Sequence, residues 1–426
     1  MDPFVWKKRS LSITNESSIP YSLPSVEMNI FRYVLKWGFI SSLAGAVVGS
    51  ASALFLVSLD LVTDFRFSHP WTIYLLPVAG LFLGFVYHSY GASSGKGNDL
   101  IIEEFQDPKS VLPFRMAPLI YVSTLLTHLV GGSAGREGTA VQMGGAIVDQ
   151  ISRFFSLDEV ERKILLIIGV SAGFASVFGT PFAGAIFALE VMVFRKFQYR
   201  YLFPSLLAGW IADRVCLQWG VVHTRFIRPD FSKLNMESWI YVLFCGIVCG
   251  AVAYLFIRSG RFTSSLFRKY IPHPILRPFV GGLILLLIFL SADMQRFMGL
   301  GLETILSSFH TELPKFDFLL KIFFTVLTLS SGWKGGEVTP LFFIGATLGN
   351  AIFSFTPLSL SLVVALCLVG VFSAATKTPL ACTVMGMELF GMEGFVFIFS
   401  ICVVSYLVSG KISIYESQLP KIKIET

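Results

Sequence analysis

The sequence predicts an all-α polytopic membrane protein made of two repeated halves. Three observations carry that prediction: apolar composition, long uncharged runs, and an internal repeat. Of 426 residues, 54% are hydrophobic and 14% charged, against roughly 25% charged in an average soluble domain. Mean hydropathy is +0.71. Between Leu341 and Thr376 there is no Asp, Glu, Lys or Arg at all. A chain with so few charges cannot coat a compact water-soluble surface of this size. This excludes a disordered chain, a nucleic-acid binder and an ordinary cytosolic enzyme. Helices are expected rather than a barrel, because barrel strands alternate apolar and polar residues whereas these apolar runs are continuous.

Taken in order, the apolar stretches fall near 30–60, 71–92, 114–134, 164–194, 201–219, 238–257, 276–292, 318–332, 341–356, 358–375 and 394–409. The preceding residues 1–29 are polar, contain Pro3, Pro20 and Pro24, and lack the apolar core of a signal peptide. Lys7, Lys8 and Arg9 at one end, with Lys421 and Lys423 at the other, read as cytoplasmic and imply an even number of crossings. The expected divisions are a cytoplasmic segment 1–29, a first membrane repeat 30–222, a linker 223–237, a second repeat 238–418 and a cytoplasmic tail 419–426. The six cysteines lie in or beside apolar segments without CxxC or His spacing, so they read as small buried apolar residues, with no metal and no cofactor expected.

The repeat is visible without outside knowledge. GREGTAVQMGGA (135–146) aligns with GGEVTPLFFIGA (335–346) at an offset of 200, which pairs Glu137 with Glu337. GTPFAGAIFALE (179–190) aligns with KTPLACTVMGME (377–388) at an offset of 198, which pairs Glu190 with Glu388. Paired Gly/Pro-interrupted apolar segments in two halves point to the binding site of a transporter. Helices that start inside the membrane present unpaired N–H groups and the positive end of their dipoles. Four such starts, near Gly97, Gly135, Gly335 and Lys411, are expected to converge on an anion.

Glu137 is the sharpest single residue, because a carboxylate among glycines in an apolar stretch is expensive unless paired or functional. Two readings stand side by side: an ion pair with adjacent Arg136, or a gate that occupies the anion site and leaves when protonated. The second links anion and proton fluxes through one group. Glu190 and Glu388 sit at helix ends, with structure as credible a role as proton relay. His128 reads as a packing residue, and Glu103, Glu104 and Lys109 as a solvated loop face. There is no nucleotide-binding loop and no nucleophile motif, so neither ATP coupling nor enzyme activity is expected.

These motifs resemble those of the CLC chloride channels and transporters over nearly the full chain. GSAGREGT (132–139) is similar to the family's gate motif G-[KR]-E-G-P, GGEVTP (335–340) to G-x-F-x-P, and GKGNDL (95–100) to G-S-G-I-P. Tyr415 falls where the family has its pore tyrosine. The departures from the pattern are informative: Thr139 replaces the gate proline, Lys96 or Asn98 replaces the serine, and Val338, between Glu337 and Thr339, replaces the phenylalanine. Val191 stands where chloride/proton exchangers carry an inner proton glutamate. Together they resemble the fluoride/proton antiporter clade, although Asp99 stands where that clade has Asn. The resemblance implies a homodimer in the lipid bilayer of a bacterial plasma membrane, with an anion pathway per subunit and inverted halves.

It also implies fluoride and protons as the transported partners. Glu137 is then the gate and proton carrier, and Glu337 the proton-coupling acid. Asn98, Thr339, Tyr415, Gly135 and Val338 are the anion-binding positions. Fluoride is small and strongly hydrated, so replacing its water needs short, strong donors of the kind Asn, Thr and Tyr supply. A protonated Glu337 in an apolar site adds another. Phe342, Phe343 and Phe174 are the candidate ring-edge contacts. The alternative within the same family is a chloride/proton exchanger or chloride channel.

Overall fold

The computed structural model describes residues 30–155, 157–193, 199–232, 235–291 and 294–418. The basic residues at both ends of the chain lie outside these. Sixteen α-helices are present among the described residues, and they fall into two series of eight. The first comprises α1 (Ile30–Ser68), α2 (Leu76–Val86), α3 (Asn98–Gln106), α4 (Met116–Leu129), α5 (Glu137–Asp149), α6 (Glu159–Phe178), α7 (Pro181–Met192) and α8 (Leu202–Gln218). The second comprises α9 (Ser238–Tyr270), α10 (Leu276–Ser291), α11 (Leu302–Ser307), α12 (Asp317–Ser330), α13 (Val338–Ile352), α14 (Leu360–Thr376), α15 (Pro379–Phe390) and α16 (Phe395–Val408). Packing repeats as well: α1 lies on α8 and α9 on α16, while α5 lies on α6 and α13 on α14.

Lengths separate the helices into crossing and broken ones. With 39 residues, α1 is about 58 Å long, so it must tilt strongly in a hydrocarbon layer of ~30 Å. By contrast α5 and α13, with 13 and 15 residues, reach only about 20 Å and begin partway through the layer. Their starts are buried in protein, which is where interrupted backbone is tolerated in a membrane. Close approach makes this possible. A Cβ on Gly144 of α5 would lie 2.2 Å from the Gly169 carbonyl of α6, and one on Gly345 of α13 would lie 2.6 Å from the Cys367 carbonyl of α14.

Two contacts establish that the halves are inverted. The loops preceding α5 and α13 meet in an antiparallel bridge, with Gly135 N–H donating to Gly336 O at 2.6 Å and Gly336 N–H to Gly135 O at 2.8 Å. Likewise α7 and α15 pack together, and each one's terminal glutamate caps the other's first turn. Glu190 accepts from the Leu380 and Ala381 N–H groups at 3.0 and 2.6 Å, and Glu388 from those of Phe182 and Ala183 at 3.1 and 2.8 Å. A segment that meets its own repeat mate head to tail is related to it by a two-fold axis perpendicular to both.

The same contacts correct the repeat register around the broken helices. Gly135 faces Gly336, the positive-φ turns are Gly131 and Gly332, and the side chains holding the preceding loops are Asp149 and Asn350. All three pairs have an offset of 201, so the position equivalent to Glu137 is Val338, and Glu337 corresponds to Arg136. Identity matching in a Gly-rich stretch favours 200, but backbone hydrogen bonding sets the true frame. Downstream, the offset of 198 holds, with left-handed Gly179 and Lys377 preceding α7 and α15.

One face of the molecule gathers the start of α1, α3, the start of α6 and residues 411–418. Lys36 pairs with Glu161, Arg162 with Asp149 at 2.8 Å and Glu104 at 3.3 Å, and Gln106 donates to the Ser417 carbonyl at 2.8 Å. We call it the terminal face. Glu104 is therefore a buried member of an ion-pair network rather than part of a solvated loop face. From this face α6, with 20 residues, runs about 30 Å to Phe178 on the opposite side.

Candidate anion site

Glu137 opens α5, yet its carboxylate sits on the first turn of α13 from the other half. Thr339 donates to it through its N–H at 3.0 Å and through its hydroxyl, which lies 2.6 Å from both carboxylate oxygens. The Arg136 N–H adds a contact at 3.2 Å. Arg136 Nε lies 3.6 Å away with no hydrogen bond, so the side-chain ion pair is looser than the Thr339 contacts. A negative group is thus seated on backbone and hydroxyl donors at a helix N-terminus, the geometry that binds anions in general. Glu137 is only 2% exposed. It lines a cavity with Phe178, Thr224, Phe226, Thr339 and Phe342 that lies away from the terminal face.

Below Glu137, the first turn of α5 brings the remaining polar groups together. A Cβ on Gly138 would lie 3.3 Å from Asn98 Nδ2, 3.8 Å from Glu337 Oε2 and 3.0 Å from the Gly336 Cα. Asn98 is the first residue of α3 behind left-handed Gly97, and its Oδ1 is buried without a partner. Lys96 instead reaches Glu103 at 2.6 Å and is half exposed, so Asn98 rather than Lys96 stands at the helix start facing the site. Asn98 and buried Tyr415 share a small cavity of about 10 Å³ with Ile101, Val141, Phe187 and Val191. Val338 is buried as the first residue of α13, and Thr139 is turned aside, bonded to Thr124 at 2.7 Å. Residues after Lys411 form no helix within the described chain, only a 3₁₀ turn at Glu416–Gln418. The fourth expected helix start is therefore absent near Lys411 among the described residues. Asp99 instead fixes this segment, accepting from the Ser417 N–H at 2.8 Å.

Aromatic rings join the two cavities. Phe178 and Phe342 line the Glu137 cavity and lie 5.1 Å apart. Phe342 meets Phe372 at 5.1 Å, Phe178 meets Phe174 at 4.9 Å, and Phe174 stacks on Phe187 at 4.4 Å. Phe187 in turn lines the Asn98–Tyr415 cavity. Phe343 points the other way, against Phe297 and the Lys321 ammonium, so it is removed from the candidate pathway. Sequence reasoning found Phe174 and Phe342 and missed Phe178, Phe187 and Phe372, since nothing distinguishes them among 42 phenylalanines. His128 is fully buried, as a packing residue is, but both ring nitrogens lack partners.

Residues 79–410 match the family model described as voltage gated chloride channel. The chain belongs to this family, the CLC proteins. Among CLC relatives, it is 44% identical over 398 residues to a "chloride/fluoride channel protein" of Pseudomonas syringae, covering 92% of this chain and 88% of that one. It is 27% identical over 343 residues to an "H(+)/Cl(-) exchange transporter" of Cronobacter sakazakii, covering 73% of this chain and 71% of the relative. The fold matches the crystal structure of a CLC-type fluoride/proton antiporter with a TM-score of 0.88 and 36% identity, covering 92% of this chain and all of that one. A slow cyanobacterial Cl⁻/H⁺ antiporter shares the fold, with a TM-score of 0.76 at 19% identity and coverage of 88% and 95%. As a CLC protein with extended apolar helices, the chain is an integral membrane protein.

Proposed function

We propose that this CLC protein exports fluoride in exchange for protons, with Glu137 as both gate and proton carrier. The observation that carries the reading is the seat of the Glu137 carboxylate on the Thr339 N–H and hydroxyl. A single site there is contested by a side chain that can be neutralised and an anion that cannot. Protonation removes the carboxylate's charge from a helix N-terminus and weakens contacts worth roughly 1.5–3 kcal/mol each when charged. Fluoride then takes the vacated donors. In this reading Glu337 couples the proton, while Asn98, Tyr415, Gly135 and Val338 bound the ion on its way. Similarity to a fluoride/proton antiporter and to a chloride/fluoride channel protein supports fluoride as the anion. The protein acts as a homodimer in a bacterial plasma membrane with both termini cytoplasmic, in keeping with the basic residues at its ends. It acts as a transporter rather than an enzyme.

The test is anion efflux with simultaneous proton uptake in proteoliposomes at clamped voltage. Fluoride is expected to leave faster than chloride and to draw protons in. Glu137→Gln, which imitates the protonated acid and cannot cycle, is expected to abolish fluoride-driven proton uptake. Equal fluoride and chloride rates would make this a chloride exchanger, and normal coupling in Glu137→Gln would remove the gate.

A further inference from the structure

Glu337 lies where two very different spaces meet. On one side are Gly138 and Asn98, next to the small cavity lined by Tyr415 and Val191. On the other is a cavity of about 220 Å³ lined by Glu337, Gly260, Arg261, Ser264, Arg268, Ser413, Ile414 and Glu416, among others. At ~30 Å³ per molecule, that volume holds roughly seven waters. Its rim lies on the terminal face, where Arg268 and Glu416 are exposed. Arg261, Ser264 and Arg268 follow one another at helical spacing in the polar end of α9, residues 258–270, and all three line this space. Charged side chains at such a helix end are expensive against lipid and inexpensive against water.

Resting on the reading of Glu337 as the coupling acid, we infer that this α9 vestibule is the water-filled port through which protons travel between Glu337 and the terminal face, separate from the anion's route past Asn98 and Tyr415. The route through position 191 is unsuited to protons: Val191 is buried beside Ile101, Phe187 and Met192, in a cavity of about 10 Å³. Glu337, in contrast, has no ion-pair partner among the described residues and faces the larger space. The charged and titratable groups around it come from every neighbouring element. Lys334 shares its loop but turns its ammonium over the Tyr87 ring at 4.3 Å. Asp99 comes from α3 and Tyr415 from the last segment, both close enough to interact electrostatically with Glu337, while Arg261 and Arg268 of α9 and Glu416 share its cavity, with Arg261 3.8 Å from Glu416. The α12 residues on the wall, Val326, Leu329 and Ser330, do not titrate.

The native cysteines are all buried, so a cysteine placed in the vestibule can be labelled selectively. Ser264→Cys is one position. Gly260→Cys is the second, because a Cβ there meets nothing within 4 Å. Each variant, reconstituted as the full chain, is measured before and after a bulky, membrane-impermeant methanethiosulfonate is added on the terminal face. Before labelling, both exchange fluoride for protons; absence of exchange in wild-type protein would instead defeat the functional reading on which this inference rests. After labelling, coupled exchange is expected to fall about tenfold or more. The residual rate should then rise with proton concentration on the terminal face, while the fluoride dissociation constant stays unchanged. Unaltered proton uptake in labelled protein at both positions would overturn the inference. So would a loss of fluoride binding with no new pH dependence, which would mark the vestibule as part of the anion's route.

Discussion

Thr339 is the residue on which the site turns, since its hydroxyl and N–H both point at the Glu137 carboxylate. Thr339→Val keeps the shape and the N–H but deletes the hydroxyl. The loss of one charge-assisted bond is worth roughly 1.5–3 kcal/mol, so fluoride affinity should fall about tenfold to a hundredfold. Asn98→Ala removes the amide beside Gly138 and should act in the same direction. Chloride, which relies less on short bonds, should lose less. Equal losses for the two anions in the efflux assay would reduce both residues to support. At this scale the sequence was readable where chemistry was conspicuous: a lone acid among glycines identifies Glu137 without coordinates. Glu337 was equally conspicuous, but its equivalence to Glu137 was an artefact of matching letters in a Gly-rich stretch. The backbone bridge between Gly135 and Gly336 moves the frame by one residue. The acid then lies on the vestibule side of the site.

Among the elements, the apolar runs revealed most helices, because burial in lipid demands long uninterrupted apolar sequence. The short helix α11 escaped, being 6 residues long with Glu303 near its start, while α3, 9 residues long, was met only as the helix start expected near Gly97. The run 164–194 is two helices, α6 and α7, divided at left-handed Gly179. The last segment, 411–418, was expected to begin a helix and is instead an irregular stretch with one 3₁₀ turn, tied to α3. Its ties are Asp99 to the Ser417 N–H at 2.8 Å, Gln106 to the Ser417 carbonyl at 2.8 Å, and Ser417 to Glu103 at 3.2 Å. These bonds hold Tyr415 against the Asn98 cavity from outside it. Asp99→Ala removes a bond of roughly 1.5–3 kcal/mol from a segment otherwise held by bonds such as Ile414 N–H to the Ala375 carbonyl and Arg261 to the Ser413 carbonyl. The expected outcome is slower fluoride turnover with an intact fold, seen as reduced efflux from protein that still elutes as a single species in detergent. Turnover equal to wild type would show that Tyr415 is held by its own packing.

At the scale of the whole molecule, duplication was legible in sequence while inversion was not, because letters carry no direction in space. The reciprocal clasp of α7 and α15 supplies that direction and also assigns Glu190 and Glu388. Each carboxylate accepts two N–H groups from the first turn of the opposite helix, where a negative charge is favoured by the dipole. Glu190→Gln and Glu388→Gln each keep one acceptor but lose the charge, so each should destabilise the protein by about 1.5–3 kcal/mol. The two clasps lie eight residues apart along α7, from Phe182 to Glu190, which is about 12 Å. At that separation the losses should add in the double variant. The measurement is the midpoint of thermal unfolding in detergent for the single and double variants, alongside coupling in liposomes. If the clasps serve architecture, the midpoints fall additively and the surviving single variants keep their fluoride-to-proton ratio. A Glu190→Gln protein with unchanged stability and abolished proton coupling would make this carboxylate part of the proton path. It would also detach coupling from the two-fold design that the clasp expresses.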